Sequence, residues 1–165
     1  MAFNIQPQQE NLWCWAAVAV SLEHYFVPTS TLTQCQMASQ VLQIPGGCGD
    51  HGPCDVASRL EPALEVVSNR TASGLMPLTF PTPGPNLSFA ALKAEIDAFL
   101  PVCVRIEWES GNGHFVVVKG YRASLSGILV EVADPFYGYS TAEFTEFSTA
   151  YLDSGTWTDT YPVRV

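Results

Sequence analysis

The chain has 165 residues, 47% of them hydrophobic and only 14% charged, which fits a globular chain able to bury a core and predicts one domain over residues 1–165. Seven basic against sixteen acidic side chains give a formal charge of -9 with no lysine or arginine cluster, and that argues against nucleic acid as a partner because phosphate neutralisation needs a basic patch. No run approaches the roughly 18 apolar residues of a membrane span, so no membrane partner is expected.

Residues 1–10 read as an extended arm ending in Gln8-Gln9. From Trp13 to about Phe26 the chain is apolar nearly all round, interrupted by Ser21, Glu23 and His24, and predicts a buried helix ended by Pro28. Ser30 to Thr33 offer caps for a second helix from Gln34 to Leu42, with Leu32, Cys35 or Gln36, and Ser39 spaced for one face. Residues 44–54 are too rich in glycine and proline to be regular. A third helical stretch is expected from Asp55, as cap, to about Leu60, with Pro62 marking its end or a restart. Met76 to Asn86 carries four prolines and reads as a crossover between a helical first half and a mainly strand second half.

Ser88 caps an amphipathic helix whose Phe89, Leu92, Ile96 and Phe99 recur at near-helical spacing, closed by Pro101. The period then changes. Val102 to Trp108 and His114 to Tyr121 predict two strands joined by a glycine-bearing hairpin loop, followed by strands over Ile128 to Ala133 and Trp157 to Val163.

Five cysteines is an odd number, so one is free if the others pair. Cys14 sits at the seam between a polar loop and the first helix, where first-turn amides and the helix dipole favour the nucleophilic thiolate. Of three histidines, His114 opens an apolar strand directly after a glycine, where a strand-borne base would stand at the rim of a sheet. Asp134, at the end of the neighbouring strand, is the candidate for fixing the imidazole tautomer, with Asp153 and Asp159 as weaker substitutes. The Cys14 backbone N–H and the side chain of Gln8 or Gln9 could supply an oxyanion hole.

The order Gln, Cys-Trp-Ala, then Gly-His-Phe-Val-Val-Val with a following Gly-Tyr, then Ala-Asp-Pro, resembles a papain-like cysteine peptidase. Within that group it is most similar to the compact bacterial branch of double-glycine-leader peptidases and proteases injected by plant pathogens. The resemblance implies an α+β fold, a helical half led by the nucleophile helix packed on an antiparallel sheet half. It also implies nucleophile, base, orienter and oxyanion-donor roles for Cys14, His114, Asp134 and Gln8 or Gln9. Papain's own spacing favours Gln8, whereas aspartate in place of its asparagine is shared with the leader-peptidase branch. The expected activity is hydrolysis of peptide or isopeptide bonds without metal or organic cofactor. The expected partner is a protein or peptide, including a host or target-cell protein, with a secreted or injected effector or toxin-like protease favoured over a cytoplasmic one. Two rivals are a Cys-His-Asp acyltransferase of transglutaminase type and an inactive binding module of the same fold.

The remaining candidates read more simply. Cys35, Cys48, Asp50, His51 and Cys54 lack the short Cys-x2-4-Cys pair of a zinc site. A disulfide between Cys48 and Cys54, or between Cys35 and one of them, is preferred over zinc and implies an oxidising compartment, with three unpaired thiols in a cytosolic protein as the close rival. Cys103 reads as core, and His24, about 15 Å along the helix from Cys14, as a packing histidine. Trp13 is expected to wall the cleft and Trp15 to point away. Residues 45–54 and 76–86 are the expected specificity loops.

Overall fold

A computed structural model describes residues 1–44, 47–49, 52–125 and 127–165. The first helix, α1 (Cys14–Phe26), has ten consecutive buried residues from Cys14 to Glu23. All-round burial of an apolar helix needs neighbours on several sides, and α2 (Gln34–Leu42), α3 (Leu60–Thr71) and the sheet supply them. The buried polar groups of α1 are satisfied: Ser21 donates to the Ala17 carbonyl, and Glu23 accepts from Arg70 Nε at 3.0 Å and from Ser30. His24 is a packing residue, its ring nitrogens bonded to the Gln6 side chain and the Leu32 carbonyl.

Five strands form one antiparallel sheet: β1 (Val102–Trp108), β2 (Gly113–Ser124), β3 (Gly127–Asp134), β4 (Gly138–Glu143) and β5 (Gly155–Tyr161), in the order β4-β3-β2-β1-β5. The period-2 alternation of the central strands sorts their side chains into two cores. Cys103, Phe115, Val117 and Ala133 pack against α1 to α3. Val104, Ile106, Val116, Val118, Val130 and Val132 pack on the other face against α4 (Phe89–Asp97) and α5 (Phe144–Ala150). The result is an α+β architecture with helices on both faces of an antiparallel sheet.

Several boundaries differ from the sequence expectation. Residues 55–59 are irregular and the third helix starts at Leu60, because Pro62 falls in its first turn, where a missing N–H costs nothing. Asp55 caps no helix; it accepts the Leu12 N–H at 2.8 Å. In α2 the cap is Thr33, reciprocated by Gln36, and the buried face is Gln34, Met37 and Ala38 rather than Cys35 and Ser39. Ser88 caps α4 as expected, but Phe99 lies beyond its end at φ 60° and points to solvent. The crossover is irregular yet anchored, Thr79 bridging to Arg164 and Gly84 to Thr160. The strand β4 and helix α5 were not anticipated, and the last strand ends at Tyr161, not Val163.

Candidate active site

Cys14 is the first residue of α1, so its N–H lies in the turn that has no intrahelical acceptor. Three contacts hold that helix start to residues 54–56: Trp13 Nε1 donates to the Cys54 carbonyl at 2.6 Å, Trp15 Nε1 to the Val56 carbonyl at 3.1 Å, and Leu12 N to Asp55 Oδ1. Cys54 is itself disulfide-bonded to Cys48, one of the pairings expected, leaving Cys14, Cys35 and Cys103 as free thiols. That bond takes up two of the thiols in the zinc reading that the sequence disfavoured; Asp50 and His51 lie outside the described residues, as do Pro45 and Gly46 of the first expected specificity loop.

His114 is paired with Ile106 of β1 and shares the parity of Val116 and Val118, while Asp134 shares that of Val130 and Val132. The pleat thus sends both side chains to the same sheet face at its end. His114 Nε2 lies 2.8 Å from Asp134 Oδ1, and the Cys14 thiol is the other side-chain partner of the imidazole. All three residues are buried, Cys14 at 8% and His114 at 7% exposure against 1% for Asp134. Burial pulls the imidazole's proton affinity down, but Asp134 and the cysteine sulfur outweigh it and raise the His114 pKa to about 9. Burial also opposes ionisation of Asp134, yet the carboxylate is held below its ordinary value by His114 and by the amides of Tyr137 and Phe136. Those amides donate to Oδ1 at 2.9 and 2.7 Å, and the Tyr151 hydroxyl donates to Oδ2 at 2.9 Å. Asp153 is exposed beyond α5 and Asp159 stands 3.7 Å from Arg105, so neither serves His114.

The expected oxyanion donors are arranged differently. Gln8 Nε2 donates to the Glu10 and Asn11 carbonyls at 2.8 and 2.7 Å, so both its protons brace the loop before Cys14. Gln9 is exposed, with its backbone N–H on Gln34 Oε1.

A cleft of about 730 Å³ opens over the thiol, lined at the reactive end by Cys14, His114, Trp108 and Tyr137 and at the far end by Arg59, Glu61, Asp159 and Tyr161. The tryptophan roles are the reverse of those expected: Trp15 lines the cleft, whereas Trp13 is sequestered by its bond to Cys54. Thr82 and Pro83 of the crossover contribute to the wall, as expected of a specificity loop, and Ala57 to Arg59 line it as well; the described residues of 45–54 are not among those at the wall. Trp108 lies nearly parallel to the His114 ring at 6.1 Å and 23°, and Tyr137 meets it edge-on at 6.2 Å. Sequence reading missed these aromatics. Trp108 was the findable one, because it and His114 flank the β1–β2 hairpin loop; Tyr151, on an unanticipated helix end, gave no signal.

No curated protein matches the chain. A family model described as papain-like cysteine protease AvrRpt2 matches residues 1–151, a span that contains Cys14, His114 and Asp134. With 151 of its 165 residues in that match, the chain belongs to the AvrRpt2 family of papain-like cysteine proteases.

Proposed function

We propose that this protease cleaves peptide or isopeptide bonds of a protein substrate through a thioester on Cys14, with His114 as base and acid and Asp134 as its orienter. The observation that carries the reading is the buried bond from His114 Nε2 to Asp134, which leaves Nδ1 for the Cys14 thiol at the wall of an open cleft. With the His114 pKa near 9, the imidazole is protonated at neutral pH and stands as imidazolium beside the sulfur. The thiolate attacks the scissile carbonyl carbon. Collapse of the tetrahedral oxyanion expels the amine, which takes its proton from His114. Neutral His114 then removes a proton from water, the resulting hydroxide attacks the thioester, and the acid departs as the thiolate is restored.

The Cys14 N–H is one oxyanion donor in this scheme, and Gln8 becomes the second by exchanging one of its two carbonyl acceptors for the oxyanion. Gln9 takes no part. The effector role, acting on a protein of a host or target cell, rests on the sequence resemblance to injected bacterial proteases.

The test is to incubate the protein with a proteome-derived peptide library and read new termini by mass spectrometry. Cleavage products that vanish with Cys14→Ala, and an acyl adduct on Cys14 trapped by acid quench, are the expected result. Products carrying a transferred amine in place of a free acid would establish acyl transfer instead, and no Cys14-dependent product would overturn the reading.

A further inference from the structure

The carboxylate of Asp134 is used at both oxygens. Oδ1 is occupied by His114 Nε2 and by the amides of Phe136 and Tyr137, all from its own strand neighbourhood. Oδ2 meets a side chain from a different element, the hydroxyl of Tyr151 at the end of α5, at 2.9 Å in a buried setting. The titratable side chains on this carboxylate among the described residues are His114 from β2 and Tyr151; Tyr137, in the β3–β4 turn, reaches it through its backbone amide. We propose that Tyr151 is a positioning residue of the protease: its hydroxyl holds the plane of the Asp134 carboxylate so that one oxygen stays in line with His114 Nε2.

Three observations carry this beyond a satisfied core tyrosine. First, a carboxylate can turn about its last torsion, a soft two-fold rotation. Two amides and the imidazole pull on one oxygen only, so a donor on the other oxygen is what keeps the carboxylate plane from twisting away from His114. Second, Tyr151 is fixed more firmly than packing alone requires. Its backbone forms a bridge with Gly155, N to O at 2.7 Å and O to N at 2.8 Å. A Cβ at Gly155 would lie 2.5 Å from Ile106 Cγ2 and 2.9 Å from the Tyr151 carbonyl, so only glycine permits that approach. Third, Trp108 neighbours both rings in near-parallel fashion, 6.1 Å from His114 at 23° and 6.1 Å from Tyr151 at 25°. One indole thereby packs on both the base and the tyrosine that aims its orienter. Burial and the charge of Asp134 push the Tyr151 hydroxyl far up, which keeps it a donor over the whole working range.

This inference rests on the Cys14, His114 and Asp134 reading, and the experiment separates the two. Alkylation of Cys14 is followed against pH in wild type, Tyr151→Phe, Asp134→Asn and Phe147→Leu, with melting temperatures. Phe147 touches the Tyr151 ring at 5.4 Å without reaching Asp134 and controls for loosened packing. Loss of a donor to the ionised form makes Asp134 harder to ionise, so in Tyr151→Phe the acid limb should move up by about half to one pH unit. Below the limb that is a threefold to tenfold slower reaction, while Phe147→Leu should lower the melting temperature and leave the limb in place. A wild-type profile in Tyr151→Phe alongside a slowed Asp134→Asn would overturn the positioning role and leave the triad standing. A wild-type profile in Asp134→Asn would remove both.

Should Tyr151→Phe fail to fold, wild-type protein labelled with 13C at tyrosine Cζ decides the matter. The Tyr151 resonance should follow the ionisation of Asp134 and remain that of the protonated ring to pH 11. A resonance indifferent to that ionisation would contradict the proposal.

Discussion

The sheet side of the cleft and the helix side hold their reactive groups by different means. His114 and Asp134 sit on adjacent strands whose ladder fixes their backbones, and four donors converge on the Asp134 carboxylate. Cys14 is fixed from outside its own element, by three contacts that tie residues 12–15 to residues 54–56, next to the Cys48–Cys54 disulfide. The proposed base is thus held by secondary structure and a polar network, and the proposed nucleophile by a loop. Damage to the first should abolish chemistry, whereas damage to the second should loosen the thiol and lower stability by graded amounts.

The largest expected effects fall on the sheet side. Asp134→Ala removes the acceptor that holds the His114 imidazole, and hydrolysis should fall by on the order of 10²- to 10⁴-fold in steady-state assays. On the helix side, replacing both Cys48 and Cys54 by serine releases a short loop and should lower stability by about 2 kcal/mol in denaturant titration. The same variant should slow alkylation of Cys14, and an unchanged rate would show that the loop does not position the thiol. Trp13→Phe removes one of the three ties, while the Cys54 carbonyl keeps the Val56 N–H at 2.7 Å, so the cost should be about 0.5–1.5 kcal/mol. Lys93→Ala removes an exposed pair with Asp97 far from either side and should change neither melting temperature nor labelling.

Protonation probes the same contrast. The folded-state pKa of His114 is raised, so its contribution to stability is full below about pH 6.5 and is lost as pH rises through about 9. Asp134 is held low, so its contribution is present above the ordinary carboxylate range and is lost as pH falls through its folded value. Hydrolysis should also decline above about pH 9, where the leaving amine loses its proton source. A His114→Gln variant should lack the alkaline part of the stability profile, as read by thermal melts across pH.

How much of this was legible in the sequence follows the same division. Helix α1, the hairpin of β1 and β2, and the Ser88 cap are local patterns of period and punctuation, and all appear where expected. The meeting of His114 with Asp134 was readable because both lie at ends of neighbouring strands, a relation set by short-range pairing. Pro62 misled because proline in a first turn and proline after a helix look alike without the following turn. The cleft wall from Ala57 to Glu61, the exchange of Trp13 and Trp15, and the commitment of Gln8 to two loop carbonyls depend on long-range contacts that no periodicity encodes. Residues 138–150 escaped because β4 is a partly exposed edge strand with Gly138-Tyr-Ser-Thr rather than a β-branched apolar run, and α5 is only seven residues long.

The central claim is that His114 activates Cys14. Intact-mass alkylation at pH 6 with an iodoacetamide or epoxide reagent, on wild type, Cys14→Ala and His114→Ala, tests it most directly. One rapid adduct on wild type that is absent from both variants is the predicted result. No adduct on wild type, or one that survives His114→Ala at the same rate, would contradict it.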